Sequence, residues 1–424
     1  MIDVVGLGDG DFHDLPTAIR ALLQGARVVI GSARQLDRVP TAPQQQRHTL
    51  PSPLRPGLSE LLGRLGVGAA PDVDGVVVLA SGDPLLSGIG STLISLLGAD
   101  AVRIHPWISS ETLARARMRW PAEVTQVVTA TSRDIDAVRR HLAPGARLVV
   151  LCPDGAGPSA LARLLVAEGC GASTITAWWH LGGADEGSRT EAAHSWGDQR
   201  TPDLVLACVA VAGDGAALRP ALGSTPGHPE SAFEHDGQLT KRDARASALA
   251  HLRPTPGAHL WDLGAGSGTV GIEWALAEPR ARTTAIEQRP ERAQRIRRNA
   301  GQLGVGAWVT VVEGDVAAQL PELDAPDAVF IGGGLSRALL MASWSRLPVG
   351  GRCVAHAVTL ETESVLVEAF SELGGTLTRI SIEQASPLGR FTSWTPARPL
   401  VQWSATKAAD LVVRPGTASV EDRA

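Results

Sequence analysis

The chain has 424 residues, more than one ordinary domain requires and enough for two. With 44% hydrophobic and 20% charged residues it has a globular composition, and its net charge of −5 offers no electrostatic case for binding nucleic acid. The four cysteines are scattered without metal-site spacing, so we expect no metal centre and no disulfide framework. Apolar runs are too short for a membrane span and we expect no leader segment, which favours a cytoplasmic location.

The first half alternates strand-like and helix-like segments, as is typical of α/β domains. Short apolar runs predict strands at residues 2–5, 28–30, 76–80, 102–104, 124–128, 148–152 and 204–211. Helical patterns lie between several of them, at residues 15–23, 91–97, 110–119 and 159–168. A stretch rich in Pro and Gln at residues 41–56 predicts a surface loop.

The second half repeats this alternation after a change of composition. Strands are predicted at residues 260–263, 283–286, 309–312, 328–331, 352–357, 376–382 and 400–404, and helices at 269–277, 290–303 and 360–373. Gly, Pro, Ser and Asp dominate the region between the halves. We therefore predict domains at residues 1–212 and 228–406, a linker at 213–227 and a disordered tail at 407–424.

The strongest single motif is the glycine-rich loop Asp262-Leu-Gly-Ala-Gly-Ser-Gly268, which follows a predicted strand and precedes a predicted helix. Glycines let the backbone turn sharply and approach a ligand where a Cβ would clash. Glu287 ends the next predicted strand, where a carboxylate can accept ribose hydroxyls, and Asp315 follows the third. Acidic residues suit a sulfonium cofactor better than a pyrophosphate, so S-adenosylmethionine is favoured over a nicotinamide. The plain alternative is a tight turn without a ligand.

Other motifs accompany this loop in the second half: Gly227–Phe233, Leu239–Arg245, Ala285–Arg292, Phe330–Gly334 and Ala357–Glu361. Together with the loop they resemble the decarboxylating precorrin methyltransferase family of cobalamin biosynthesis. The resemblance implies a Rossmann-like class I methyltransferase fold for this half. It also implies cofactor contacts at Thr240, Gly264, Ala265, Gly266, Ser267, Gly268, Glu287, Asp315 and Val316.

The first half carries its own glycine loop, Gly6-Leu-Gly-Asp-Gly10, with companions at Leu79–Gly90 and Pro106–Glu111. Taken singly, these motifs are explained by a turn at Asp83 and a helix cap at Ser109 or Ser110. Together they resemble the tetrapyrrole (corrin and porphyrin) methylase family, most closely its precorrin C5-methylating branch, across residues 2–212. The resemblance implies two α/β lobes with the cofactor in the cleft between them. The implied cofactor contacts are Ser81, Gly82, Asp83, Leu86, Ser109 and Ser110, and Gly6, Gly8 and Gly10 would face the tetrapyrrole.

The two resemblances together imply one bifunctional methyltransferase with two S-adenosylmethionine sites per chain. The implied reaction methylates precorrin-6B at C5 in the first domain and at C15 in the second, and decarboxylates the C12 acetate to give precorrin-8. Arginine and lysine are the expected anchors for a substrate with many carboxylates, and Lys241, Arg242 and Arg245 are candidates. The alternative for these three is a solvated helix face. No catalytic residue is assigned, because an electron-rich ring carbon can attack a sulfonium methyl once the two are aligned.

Three other interpretations stay open. One half could bind a tetrapyrrole without catalysis, or the substrate could be a different tetrapyrrole. A formal dinucleotide pattern at Gly266–Gly271 also admits an NAD(P)-dependent oxidoreductase, although no hydride-transfer site is visible. The sequence does not separate a metal-free from a cobalt-containing substrate. We expect a homo-oligomer, because members of both families tend to form oligomers.

Overall fold

The computed structural model describes residues 1–66, 75–131, 134–213 and 223–408 of the chain. The chain divides into two compact units, Met1–Ala221 and Leu222–Ala424. Residues 214–222 of the predicted linker and 409–424 of the predicted tail lie outside the described residues, so the predicted domain limits stay a prediction. Across the described ranges, no helix is both long enough and apolar enough to cross a membrane.

The first lobe of the first unit is a five-stranded parallel sheet of order β3-β2-β4-β1-β5. Its central strands are mostly apolar and almost entirely buried, as parallel strands covered by helices require, although Asp3 interrupts the first strand. The strands are β1 Ile2–Leu7, β2 Val28–Gly31, β3 Gln46–Thr49, β4 Val76–Ser81 and β5 Val102–His105. The helices are α1 Thr17–Gly25, α2 Ala33–Arg38, α3 Leu54–Arg64 and α4 Ile89–Leu97.

The second lobe is a mixed sheet of order β6-β7-β10-β8-β9, in which only the β6–β7 pair is parallel. Its strands are β6 Thr125–Thr129, β7 Arg147–Leu151, β8 Thr174–Trp179, β9 Gly187–Ala192 and β10 Val205–Ala210. Its helices are α5 Ser110–Met118 and α6 Gly157–Ala167. The two sheets confirm the two-lobed α/β architecture expected of the first half.

The second unit contains a seven-stranded sheet of order β13-β12-β11-β14-β15-β19-β16, in which β19 runs opposite to the other six strands. This order confirms the Rossmann-like methyltransferase fold. The strands are β11 His259–Leu263, β12 Arg282–Glu287, β13 Val309–Glu313, β14 Ala328–Ile331, β15 Arg352–Ala357, β16 Thr376–Ile380 and β19 Leu400–Thr406, with a separate hairpin of β17 Glu383–Leu388 and β18 Phe391–Pro396. The helices are α7 Arg242–Leu252, α8 Thr269–Ala277, α9 Pro290–Gln302, α10 Val316–Gln319, α11 Arg337–Arg346 and α12 Leu360–Leu373.

The sequence predictions left out several elements, among them strands β8 and β9 and helices α2, α7 and α11, and three further differences have a local reason. The predicted loop at 41–56 contains edge strand β3 and the start of α3; β3 is polar and half-exposed, so no apolar pattern reveals it. Hairpin β17–β18 is missed because its residues are almost all exposed. Lys407, the first residue of the predicted tail, is held by the body of the second unit. Its Nζ donates to the carbonyl oxygens of Trp344 and Leu347 at 3.0 and 2.8 Å.

Candidate functional site

The two main motifs of the first half meet at the carboxyl edge of the first sheet. Strands β1 and β4 are parallel neighbours, and Leu7 in the glycine loop pairs with Ser81. The N–H of Gly82 donates to the carbonyl oxygen of Leu7 at 2.8 Å. Ligands bind at this edge in open α/β sheets, so the fold puts both motifs where a cofactor site is expected.

A cleft of about 420 Å³ opens at this edge of the sheet. Leu151 of β7 and Val205 of β10 line it as well, so it lies between the two lobes of the first unit. The structure brings together in its wall all six residues predicted to contact a cofactor in this half: Ser81, Gly82, Asp83, Leu86, Ser109 and Ser110. Their contact with the cofactor stays a prediction.

Local backbone geometry explains why these residue types occur in the wall. Gly82 has φ +57°, and a Cβ there would lie 2.8 Å from the Cα of Ser109, so a side chain would displace the start of α5. The Oδ1 of Asp83 accepts the N–H of Leu85 at 2.8 Å. The Oγ of Ser109 caps α5 by accepting the N–H of Thr112 at 3.2 Å. The turn and cap roles are therefore real, and they shape the cleft.

A second cavity of about 190 Å³ lies beside the same glycine loop and shares Gly8 and Asp9 with the first. Gly8 and Gly10 line it with apolar side chains that include Phe12 and Trp107. Gly6 lines neither cavity, because a Cβ there would lie 2.0 Å from the carbonyl oxygen of Gly82. Gly6 thus allows close packing beneath the loop, and its contact with a tetrapyrrole stays a prediction.

An ion cluster around Asp9 joins the two cavities, and the sequence analysis did not find it. The Oδ1 of Asp9 lies 2.8 Å from the Nη1 of Arg34 and 2.6 Å from the Nη2 of Arg38, and its Oδ2 lies 2.7 Å from the Nδ1 of His180. The four-residue spacing of the arginines indicates one helix face. No sequence signal connects Asp9 with His180, because the two are 171 residues apart.

The second glycine loop has the backbone that its sequence demands. Gly264, Gly266 and Gly268 all have left-handed φ values, +67°, +61° and +75°. A Cβ at Gly264 would lie 2.6 Å from the carbonyl oxygen of Gly333. Between the glycines, Ala265 donates its N–H to the carbonyl oxygen of Ile286 at 3.0 Å, and the side chain of Ser267 is buried. The loop is thus packed tightly against the ends of β12 and β14.

Glu287 lies directly against this loop. Its Oε2 accepts the N–H of Gly266 at 2.8 Å and its Oε1 accepts the N–H of Arg289 at 2.9 Å. A carboxylate oxygen can accept more than one hydrogen bond, so acceptor capacity remains for the ribose hydroxyls predicted there.

Asp262 lies beneath the loop instead of facing an open site. Its Oδ2 accepts the N–H of Gly271 at 2.9 Å, whereas its buried Oδ1 has no partner among the described residues. Burial, with a smaller effect of the charge on Glu287, raises the pKa of Asp262 to about 7.

Asp315 and Val316 occupy the neighbouring edge of the same sheet. Strand β13 pairs with β12, and the N–H of Gly314 donates to the carbonyl oxygen of Glu287 at 3.1 Å. The Oδ1 of Asp315 accepts the N–H of Ala318 at 3.1 Å and caps α10, which Val316 begins. The structure therefore gathers the glycine loop, Glu287, Asp315 and Val316 at one edge of the sheet.

The basic residues that follow Thr240 have different environments. Lys241 and Arg242 are exposed where α7 begins. Arg245 is fully buried: its Nε lies 2.7 Å from the Oε1 of Glu273 and its Nη1 donates to the carbonyl oxygen of Thr240 at 2.6 Å. The role of Arg245 as a substrate anchor stays a prediction, and its complete burial together with these hydrogen bonds favours a structural role instead.

Within the described ranges, no group of three or more His, Cys, Asp or Glu side chains has the arrangement of a metal site.

Comparisons with known proteins cover both halves. Residues 1–192 match the family model described as Tetrapyrrole (Corrin/Porphyrin) Methylases, and residues 231–407 match the Precorrin methyltransferase domain. A relative from Sinorhizobium sp. named precorrin-6Y C(5,15)-methyltransferase [decarboxylating] is 42% identical, over 96% of this chain and 96% of its own length. The chain belongs to the precorrin-6Y C5,15-methyltransferase (decarboxylating) family.

A second full-length relative supports this assignment, and one solved domain is also similar to part of the chain. The protein of that name from Mycobacterium tuberculosis (strain ATCC 25618 / H37Rv) is 40% identical over 96% of this chain and 100% of its own length. The crystal structure of the C-terminal domain of precorrin-6Y C5,15-methyltransferase from Rhodobacter capsulatus has 47% identity, covers 44% of this chain and 100% of that chain, and has a TM-score of 0.42. Family membership confirms both sequence resemblances.

Proposed function

We propose that this chain is a bifunctional S-adenosylmethionine-dependent enzyme of cobalamin biosynthesis. Its first unit methylates precorrin-6B at C5, and its second unit methylates C15 and decarboxylates the C12 acetate, which yields precorrin-8. The observation that carries this proposal is a glycine-rich loop in each of the two units, in a chain whose full-length relatives bear that enzyme's name.

The residues at both sites fit S-adenosylmethionine, which when bound supplies an electrophilic methyl group on a sulfonium sulfur. In the first unit, the left-handed turn at Gly82 opens a 420 Å³ cleft beside Ser109 and Asp83. In the second unit, Gly264 and Gly266 expose backbone at the loop, and Glu287 presents carboxylate oxygens beside it. Acidic groups at both sites favour a cation and disfavour a pyrophosphate.

The chain's contribution to methyl transfer is alignment of the ring carbon with the methyl group and exclusion of water. Gly8 and Gly10 line the apolar cavity next to the cofactor cleft, where a flat tetrapyrrole edge can lie against Phe12 and Trp107. In the second unit, the exposed Lys241 and Arg242 remain as substrate-carboxylate anchors.

Decarboxylation breaks the bond between the acetate methylene and its carboxyl group and releases carbon dioxide. The bonding electron pair passes into the conjugated ring of the substrate, and the methylene carbon then gains a proton. The protein orients the acetate and keeps it out of water, so we assign this step no catalytic side chain.

Calorimetric titration of the full chain with S-adenosylhomocysteine tests the two-site proposal. Two sites per chain are expected. One site would limit catalysis to one unit, and no binding would overturn the methyltransferase assignment.

Two matched variants assign the sites. Glu287→Ala is expected to remove binding at the second unit only, because it removes the acceptor beside the loop, and Asp83→Ala to weaken the first site only. Exposed carboxylates in the same units supply the controls, Glu291→Ala for the second and Asp100→Ala for the first. Mass spectrometry of the tetrapyrrole product should show the C15 methylation lost in Glu287→Ala and the C5 methylation lost in Asp83→Ala. Loss of both methylations in either variant would contradict separate sites.

We further propose a cytoplasmic homo-oligomer. All four cysteines lie in the described part of the chain and none forms a disulfide, as expected in a reducing compartment.

An exposed apolar cluster supports the homo-oligomer. Leu388, Phe391 and Trp394 of the β17–β18 hairpin are 63–67% exposed, and such a cluster is typical of a protein contact surface. Light scattering after size-exclusion chromatography tests the assembly; a monomeric mass at assay concentration would exclude it.

A further inference from the structure

We infer that residues 227–240 form a strap over the second glycine loop, and that Arg245 and Glu273 are positioning residues that hold both ends of this strap. The inference rests on the proposed function, because the strap ends at Thr240, a predicted cofactor contact.

The two ends of the strap are tied to a single buried ion pair. Glu273 of α8 accepts the N–H of Gly227 at 2.7 Å and the N–H of His228 at 2.9 Å. Arg245 of α7 donates to the carbonyl oxygens of His228 and Thr240. The two side chains join at 2.7 Å and are both 0% exposed. One ion pair therefore fixes the start and the end of the strap relative to each other.

The middle of the strap is tied to α9 and to the glycine loop. Asn299 is fully buried; its Oδ1 accepts the N–H of Glu234 at 2.8 Å. Its Nδ2 donates to the carbonyl oxygens of Glu234 and Ser267, both at 3.0 Å. Arg292 donates to Asp236 and Gln238 at 2.9 and 2.7 Å. The Asn299 amide thus bridges the strap and the glycine loop directly.

The strap also passes close to the glycines themselves. A Cβ at Gly266 would lie 3.7 Å from the carbonyl oxygen of Gln238. Thr240, two residues further on, ends the strap where Arg245 holds its carbonyl oxygen. Loop and strap therefore form one preorganised wall of the proposed cofactor site.

Energetics favours a positioning role for the ion pair over a purely stabilising one. A fully buried ion pair contributes little net stability, because desolvation offsets the attraction between the charges. The pair instead fixes the position of the strap, because Glu273 accepts two of its backbone N–H groups and Arg245 donates to two of its carbonyl oxygens. Without these hydrogen bonds the strap should be more mobile in the free protein, so cofactor binding would have to order it at a larger entropy cost.

The test is titration of the full chain with S-adenosylhomocysteine, in which the first unit's site serves as an internal reference. Replacing the pair by Arg245→Met and Glu273→Met together avoids leaving one buried charge unpaired. We expect about tenfold weaker binding at the second unit's site, with the first site unchanged. The matched control is Arg298→Ala, which removes an exposed ion pair between α9 and Glu234 of the strap but neither end anchor.

A second variant decides the outcome if the double variant does not fold. Arg245→Lys keeps a positive charge against Glu273, but a lysine ammonium lacks the planar fork that reaches both carbonyl oxygens. We expect the KM for S-adenosylmethionine in C15 methylation to rise, with kcat recovering at saturating cofactor. If the ion pair had only a structural role, Arg245→Lys would lower the thermal unfolding midpoint but would not raise KM while leaving kcat unchanged.

Unchanged affinity and KM at the second site in folded variants would overturn the strap inference alone. A wild-type chain that binds S-adenosylhomocysteine only at its first site would overturn the proposed function of the second unit, and the strap inference with it.

Discussion

Asp262 shows how burial changes the chemistry of a single residue. Its carboxyl group lies at the end of β11, with one oxygen bonded to the N–H of Gly271 and the other without a partner among the described residues. Burial raises its pKa from 3.8 to about 7. Between about pH 4 and about pH 7, Asp262 keeps a proton in the folded chain that it has lost in the unfolded chain. Its contribution to the free energy of unfolding therefore falls as pH rises through this range.

Replacing Asp262 by Asn should remove this dependence, because the amide oxygen still accepts from Gly271 but no longer titrates. Relative to wild type, the free energy of unfolding of Asp262→Asn is expected to increase as pH rises from about 4 to about 7, and to level off above that. Urea denaturation across this range measures the difference. The exposed Asp243→Asn is the control; a pH-independent difference for Asp262→Asn would refute the prediction.

At the scale of elements, the Asp9 cluster connects three pieces of the first unit: the glycine loop, helix α2 and the turn after β8. The Asp9 side chain is 10% exposed and meets Arg34, Arg38 and His180. His180 has a left-handed φ of +50°, a conformation that a non-glycine residue adopts at some cost. The contact therefore joins the two lobes beside the cleft.

Asp9→Asn should destabilise the first unit by about 2 kcal/mol, because two half-buried arginines lose the carboxylate that separates their like charges. The expected signs are a lower unfolding midpoint and faster amide exchange in the glycine loop. Asp37→Asn, an exposed change on helix α2 between the two arginines, is expected to have no such effect. Equal stability of the two variants would show that the cluster is only a surface ion pair.

At the scale of the whole molecule, each unit has its own core. Buried clusters around Val4 and Leu79 lie entirely in the first unit, and those around Trp261 and Trp274 lie entirely in the second. Independent cores predict that the two units unfold as separate cooperative transitions.

Core truncation in one unit should therefore leave the other unaffected. Trp274→Ala is expected to cost the second unit about 3–5 kcal/mol, and Leu79→Ala to cost the first about 2–5 kcal/mol. Scanning calorimetry should show only the corresponding transition moving to lower temperature. A single transition that shifts as a whole in both variants would contradict independent units.

The sequence predicted the features whose signal is local. Gly264, Gly266 and Gly268 take left-handed φ values, as a strand-to-helix glycine loop suggests, and Ser109 is both a cap and a cleft residue. The polar edge strand Gln46–Thr49 and the exposed hairpin β17–β18 have no apolar period and were missed. Their register is set by neighbouring strands.

By itself, the sequence determined two α/β units and the loops that carry the candidate sites, because apolar periodicity and glycine backbone freedom act over a few residues. The two-lobed methylase fold and the Rossmann-like fold were implied by the resemblance of its motifs to two known families. Only the tertiary structure decided that Arg245 is buried against Glu273, that Gly6 packs beneath its loop and that Asp9 meets His180. Such contacts join residues far apart in the chain. Which side chains are buried, and therefore which charged groups pair with each other, is determined only when the sheets and helices pack together.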